Sequence, residues 1–261
     1  MELNSNISVI VAGGASGLGR ATAMALAGSG CKVSIFDLNG ELGQKVALEI
    51  GGLFQCVDVS DPKSIDDALI GVARSHGIAR VVVNCAGIAP AIKTVSRDRL
   101  TGAPVHHDLD VFARVISVNL TGTFNLAAKA AAQMAQLEGL GPDRERGVIV
   151  LTSSIAAEDG QIGQVAYAAS KAGVAGMILP MARDLAREGI RVVTIMPGIF
   201  ETPMLAGLPA DTLAALANTV PFPARLGAPA EYAELVKSVI GNIMLNGCAI
   251  RLDGALRMPP R

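Results

Sequence analysis

The sequence predicts an α/β protein in which one parallel sheet is wound on both faces by helices. Short apolar runs alternate with helically patterned segments along all 261 residues, the order that β-α-β crossovers produce. The runs are apolar throughout rather than at every second residue, as strands buried on both faces must be. Apolar residues make up 51% of the chain and aromatics only 3%, with 29 glycines. Such a core is built from small aliphatic side chains that let helices pack closely on a sheet.

The elements follow in order. "ISVIVA" from Ile7 is the first strand, and a helical pattern opens at Gly17. "KVSIFD" from Lys32 leads to a helix from Glu41, and "GLFQCVDV" from Gly52 to a helix from Pro62. "RVVVNCAG" from Arg80 is the fourth strand, followed by a helix from Leu109. "GVIVLTSS" from Gly147 precedes a helix from Val165, and "IRVVTIMPG" from Ile190 precedes one from Pro229. "CAIRLDG" from Cys248 closes the sheet. Two stretches break this rhythm: a polar insertion near 88–108 and an apolar-rich excursion near 198–227. Long segments leaving the carboxyl ends of strands usually serve function in such folds. With no linker, repeat or low-complexity tract, residues 1–261 read as a single domain.

Composition removes several classes of function. A net charge of −1, with basic residues scattered, gives no reason to expect nucleic acid or an anionic membrane as partner. Cys31, Cys56, Cys85 and Cys248 lack metal or disulfide spacing and read as buried, reduced thiols. The start shows no leader pattern, and no apolar run reaches about 18 residues. The expectation is a cytoplasmic protein. His106 and His107 are adjacent, poor geometry for one metal, and no metal is expected.

The first strand runs into "VAGGASGLGRATA", where Gly13, Gly17 and Gly19 sit at G-x-x-x-G-x-G spacing as the helix begins. Glycines there let backbone approach a phosphate, whose charge is met by amides at the helix N-terminus. Asp37 ends the second strand, where a carboxylate can accept bonds from ribose hydroxyls and would repel a 2′-phosphate. No cation stands at Leu38 or Asn39, so NAD is favoured over NADP. Asp58, with Val59, either flanks an adenine or caps the next helix.

"YAASK" places Tyr167 four residues before Lys171, on one face of a helix. A free phenol has a pKa of about 10. Bringing it to roughly 7 takes about 4 kcal/mol, which a neighbouring ammonium in a partly dry cleft, together with a positively charged nicotinamide ring, can provide in large part. Ser154, thirteen residues earlier, closes a buried strand and can hold a substrate oxygen. Asn119 sits inside a helical pattern where asparagine is disfavoured, and its amide is expected to hold a water linking Lys171 to solvent.

Taken together, the glycine loop, "NCAG" (Asn84–Gly87), Asn119, Ser154, Tyr167, Lys171 and "PGIFETP" (Pro197–Pro203) resemble the short-chain dehydrogenase/reductase family in order and spacing. The resemblance implies a Rossmann-type sheet and an Asn119-Ser154-Tyr167-Lys171 tetrad. It further implies cofactor contacts at Ser16, Leu18, Asn84, Ala86, Gly87, Pro197 and Gly198, besides Tyr167 and Lys171, with Ile199 and Thr202 on the nicotinamide carboxamide. Two departures stand out: Ala12 where the family has threonine, and Cys85 in place of the second asparagine of "NNAG".

"GQIGQVAYAASKAG", "LPMARDLA", "VPFPARLGAPAEYAELV" and "NGCAIRLDGALRM" carry a narrower resemblance, to the type-2 3-hydroxyacyl-CoA dehydrogenases, also called type-10 17β-hydroxysteroid dehydrogenases. This implies NAD-dependent interconversion of 3-hydroxyacyl-CoA and 3-ketoacyl-CoA, fatty acid metabolism, and a homotetramer. The runners-up are a dehydrogenase of steroids or other bulky secondary alcohols and, in another class, a catalytically silent dinucleotide-binding regulator. Substrate contacts are expected from Gln161, Gln164, Met204, Leu205 and Leu208, with Leu213, Leu216, Val220 and Phe222 lining the same lid. Lys93, Arg97 and Arg99 are either CoA-phosphate contacts or a solvated charged loop.

Overall fold

The computed structural model describes residues 1–203, 205 and 209–260. Seven parallel strands form one sheet: β1 (Ser8–Ala12), β2 (Lys32–Asp37), β3 (Leu53–Cys56), β4 (Val81–Asn84), β7 (Gly147–Thr152), β8 (Ile190–Pro197) and β9 (Ala249–Leu252). Their spatial order is β3-β2-β1-β4-β7-β8-β9. The chain winds outward from β1 in one direction, returns, and continues from β4 in the other. A crevice therefore opens between the carboxyl ends of β1 and β4, where Ala12 pairs with Asn84, the place such sheets bind ligands.

Alternation along the inner strands feeds two cores. Val9 and Val11 of β1 face α1 (Gly17–Gly28), α2 (Gly40–Ile50) and α8 (Pro229–Gly241), meeting Ala23, Leu26, Val46 and Val236. Ile10 and Ala12 face α3 (Pro62–Ser75), α5 (Gly122–Met134) and α6 (Val165–Asp184), meeting Ile65, Leu126 and Val174. The continuous apolar runs of the inner strands thus have their cause in two covered faces; the edge strands β3 and β9 are only half-buried, and Cys56, expected inside, is exposed.

A helix α4 (Leu109–Ile116) enters α5 through one π-helical turn, Ser117–Thr121. The wider turn carries Asn119 into the interior, where it is wholly buried; such turns recur at functional sites. Leu109–Met134 and Val165–Asp184 are long and apolar enough to cross a membrane, at mean hydropathy 1.2 and 1.3. Here both lie on the sheet and turn Asn119, Ser170 and Lys171 inward.

The insertion expected as an irregular polar segment contains an antiparallel hairpin, β5 (Val95–Arg97) and β6 (Pro104–His106), every residue of it exposed. Its base is anchored where the Ile92 amide donates to the Gly163 carbonyl at 2.8 Å. The excursion after β8 contains the short helix α7 (Ala210–Ala217).

Candidate active site

The loop after β1 is shaped by close approach. Gly13 has φ +68°, and a Cβ there would stand 2.7 Å from the Ala86 amide nitrogen at the end of β4. A Cβ on Gly19 would collide with the carbonyl of Gly13. Side chains cap α2, α3 and α4, through Asn39, Asp61 and Asp108. The first turn of α1 has no side-chain cap and no acid, although Ser16 stands at its N-cap and Leu18 within it. Its amides are left to an incoming anion.

Asp37 ends β2 beside this loop. Its Oδ2 accepts from the Ala15 amide at 3.0 Å and its Oδ1 from the Asn39 amide at 2.9 Å. The carboxylate therefore shapes the phosphate loop itself, and it stays half-exposed to accept further bonds. Asp58 does not cap α3. Asp61 does that, while Asp58 Oδ1 accepts from the amide and hydroxyl of Ser60. Val59 is buried.

Asn84 is buried and faces inward: Oδ1 accepts from the Ala86 amide at 3.0 Å, and Nδ2 donates to Thr123 Oγ1 at 2.9 Å. It sets the turn leading to Gly87. A Cβ on Gly87 would lie 3.2 Å from Asn119 Oδ1 and 3.5 Å from Lys171 Nζ. Asn119 Oδ1 accepts from the Ile88 amide at 2.8 Å. Its Nδ2 donates to the Ile88 carbonyl at 2.8 Å and to Ser170 Oγ at 3.1 Å. The amide expected to hold a water is instead engaged within the protein, clamping the segment after β4 to α6.

Tyr167 and Lys171 share the inward face of α6, with the ammonium 5.7 Å from the phenol ring centroid. Ser154 caps the short turn after β7, accepting from the Ala156 amide at 3.1 Å. Burial pushes the Tyr167 phenol above its ordinary range, and the neighbouring Ser154 hydroxyl opposes this. In the chain alone, desolvation of the phenolate outweighs the stabilisation available from its protein neighbours. Lys171 is itself buried and donates to the Thr152 carbonyl at 2.8 Å. Desolvation lowers its pKa from 10.5 to about 8.

Around this centre the sequence readings divide. Pro197 is buried at the end of β8, and Gly198 donates to the Leu252 carbonyl at 2.9 Å. Thr202 rests against Gly17, its Cγ2 3.3 Å from where a Cβ would stand, so the lid begins over the phosphate loop. Ile199 packs with Ile155, Val220 and Leu256. Val220 is thus core and Phe222 is 83% exposed, so neither lines a lid; Leu213 and Leu216 are half-buried. Leu205 is half-buried, while Met204 and Leu208 lie outside the described residues.

Gln161 and Gln164 line a cleft of about 410 Å³ between the insertion and the start of α6, with Lys93, Ile162 and Val165 on its walls. Gln161 also donates to the Pro259 carbonyl at 3.1 Å. Of the three insertion cations, Lys93 reaches this cleft. Arg97 bonds the Gly102 carbonyl within the hairpin, and Arg99 is exposed. Thr152, Ser170 and Ile88 were not legible as site residues, since their roles rest on backbone groups and distant contacts.

A dinucleotide fits the crevice on these grounds: glycines whose Cβ positions are filled by backbone, an uncapped helix start, and a half-exposed acid at the end of β2. The comparisons agree. A family model described as short chain dehydrogenase matches residues 8–212. Over 257 residues the chain is 50% identical to the 3-hydroxyacyl-CoA dehydrogenase type-2 of Drosophila melanogaster, covering 98% of this chain and 99% of that protein. It is 49% identical over 255 residues to the human protein of the same name, with 96% and 95% covered. The crystal structure of a 3-hydroxyacyl-CoA dehydrogenase type-2 from Mycobacterium avium matches with a TM-score of 0.91 at 42% identity, over 98% of both chains.

Proposed function

The chain belongs to the short-chain dehydrogenase family, and from that membership we propose that it interconverts 3-hydroxyacyl-CoA and 3-ketoacyl-CoA with NAD. It is an oxidoreductase, and its family implies a nicotinamide dinucleotide. The observation that carries the reading is the meeting of Ser154, Tyr167 and Lys171 at the rim of a crevice floored by Gly13 to Gly19. Identity to enzymes named for hydroxyacyl-CoA supports the substrate class. Asp37 supports NAD, since its carboxylate would repel the 2′-phosphate of NADP.

When bound, the dinucleotide supplies the two-electron acceptor or donor for the carbinol carbon. The chain's own residues manage the proton. Ser154 holds the substrate oxygen by a hydrogen bond. Tyr167 exchanges the proton with that oxygen: as phenol it donates to a ketone, and as phenolate it takes the proton of an alcohol. Lys171, fixed on the Thr152 carbonyl, keeps a positive charge near the phenol and favours the phenolate that oxidation needs. Asn119 keeps Ile88 and Ser170 in register around these groups.

A homotetramer is part of the same proposal. Phe124 on α5, with Val165 and Leu179 on α6, are 51%, 43% and 45% exposed, and apolar helix faces of this kind suit burial between subunits. Light scattering of the purified protein measures the mass directly.

The test is NADH formation with a short 3-hydroxyacyl-CoA beside its free acid and a steroid alcohol. Turnover concentrated on the thioester supports the proposal. Turnover on the other alcohols alone keeps the proton machinery and overturns the substrate. Dinucleotide binding with no turnover on any alcohol leaves the regulator reading.

A further inference from the structure

Tyr232, one of only two tyrosines in the chain, is wholly buried on α8, on the face of the sheet opposite to α6. Its hydroxyl lies 2.7 Å from Thr152 Oγ1. That Thr152 hydroxyl donates to the Asn84 carbonyl at 2.6 Å. A carbonyl only accepts and a hydroxyl has one proton, so Tyr232 must be the donor to Thr152. Cys85 completes the line, its thiol 3.8 Å from the Tyr232 oxygen, which accepts. The Thr152 oxygen also lies 3.5 Å from the Cys85 sulfur, closing the three groups into a ring, with the shortest bonds running from Tyr232 to Thr152 to Asn84.

The line stands where the β4–β7 ladder ends, while on its other side Thr152 is still paired with Ile195 of β8. The last β4–β7 pair is Asn84 with Leu151, and Thr152 is the next residue. Its side chain carries the connection between the strands one step past the backbone ladder. From Asn84 the network continues through Thr123 to the Asn119 carbonyl on the other face. Thr152 also presents the carbonyl that receives the Lys171 ammonium.

We infer that Tyr232 is a positioning residue for the reaction: through Thr152 it holds the carbonyl on which Lys171 docks. This deepens the function proposed above and rests on it for the role of Lys171. The titratable groups facing the ammonium are Tyr167 on its own helix and Cys85 at the end of β4; Tyr232 stands one residue further back. Burial keeps both the Cys85 thiol and the Tyr232 phenol in their neutral forms at neutral pH. The line therefore acts by geometry and not by charge.

The experiment uses the full chain in four forms: wild type, Tyr232→Phe, Thr152→Val and Thr152→Ser. Two readouts are taken. One is the titration of the Lys171 amine in the free protein, followed by nuclear magnetic resonance of carbon-labelled lysine and assigned with Lys171→Met. The other is the pH profile of turnover. In Tyr232→Phe and Thr152→Val the amine titrates below its starting value of about 8, because the cation has lost a fixed acceptor. The alkaline limb of turnover moves the same way, and kcat falls roughly tenfold with little change in KM, the scale of one hydrogen bond's worth of positioning. Thr152→Ser, which keeps the hydroxyl, restores most of what Thr152→Val loses. If both disruptive variants lose stability while amine titration and limb stay at wild-type positions, Tyr232 is structural only and the inference fails. Should the wild type turn over no alcohol, the proposed function fails, and the amine titration alone still decides the role of Tyr232.

Discussion

The ammonium of Lys171 donates to the main-chain carbonyl of Thr152 at 2.8 Å, fixing a buried cation at the end of a core strand. Burial holds its pKa at about 8, against 10.5 in the exposed side chain. Below about pH 8 both folded and unfolded chains carry the charge, and the full cost of burying it is present. From there to about 10.5 the folded chain is neutral while the unfolded chain still binds the proton, so this group's contribution to stability rises with pH. Lys171→Met removes the cost. The variant should gain up to about 3 kcal/mol at neutral pH, less the lost hydrogen bond, and the gain should shrink as pH rises through that window. Denaturant midpoints across pH check this, and a gain independent of pH would contradict it. Activity is lost in the same variant.

Asn119 leaves the amide and the carbonyl of Ile88 dependent on one side chain, while the Ser170 hydroxyl keeps its own bond to the Tyr167 carbonyl. Truncation to alanine strands these polar groups in the interior. A loss of roughly 3 kcal/mol in stability is expected, with a fall in kcat larger than any change in KM, measured by urea unfolding and steady-state kinetics.

Gly13→Ala places a methyl 2.7 Å from the Ala86 nitrogen at a positive φ. The loop must shift, and the phosphate cradle with it. NADH affinity, followed by the fluorescence of the bound dinucleotide, should weaken at least about a hundredfold, the equivalent of about 3 kcal/mol. A folded variant that binds NADH normally would show that the loop is not the cradle.

The proposed preference for NAD rests on Asp37, which is followed by the exposed Leu38 at the end of β2. Asp37→Ser combined with Leu38→Arg replaces a repulsive charge with an attractive one. The ratio of kcat/KM for NADP over NAD should rise at least about a hundredfold. Activity with NAD should also fall, because Asp37 Oδ2 holds the Ala15 amide.

Much of this was legible in the sequence because it depends on local pattern. Helices starting at Gly17, Pro62, Leu109, Val165 and Pro229 begin at those residues in the fold, since each boundary follows from a break in periodicity. The seven strands follow from their apolar runs. The hairpin Val95–Arg97 with Pro104–His106 left no such trace, because a fully exposed two-stranded ribbon needs no apolar face. The burial around Tyr167, which pushes its phenol up, left no trace either: i to i+4 spacing gives proximity to Lys171, while burial belongs to the tertiary structure. Thr152 and Tyr232 are 80 residues apart and meet only across a packed helix. The rarity of tyrosine in this chain was the one available hint.

The most direct test of the central claim is hydride transfer by Tyr167→Phe, set beside wild type with a short 3-hydroxyacyl-CoA and NAD. The phenyl ring keeps the packing and removes only the hydroxyl to which the proposal gives the proton exchange. The account predicts a variant that folds and binds NADH like the wild type while kcat falls by roughly a thousandfold or more, within the range general acid–base catalysis supplies. A folded Tyr167→Phe protein turning over within a fewfold of wild type would contradict it.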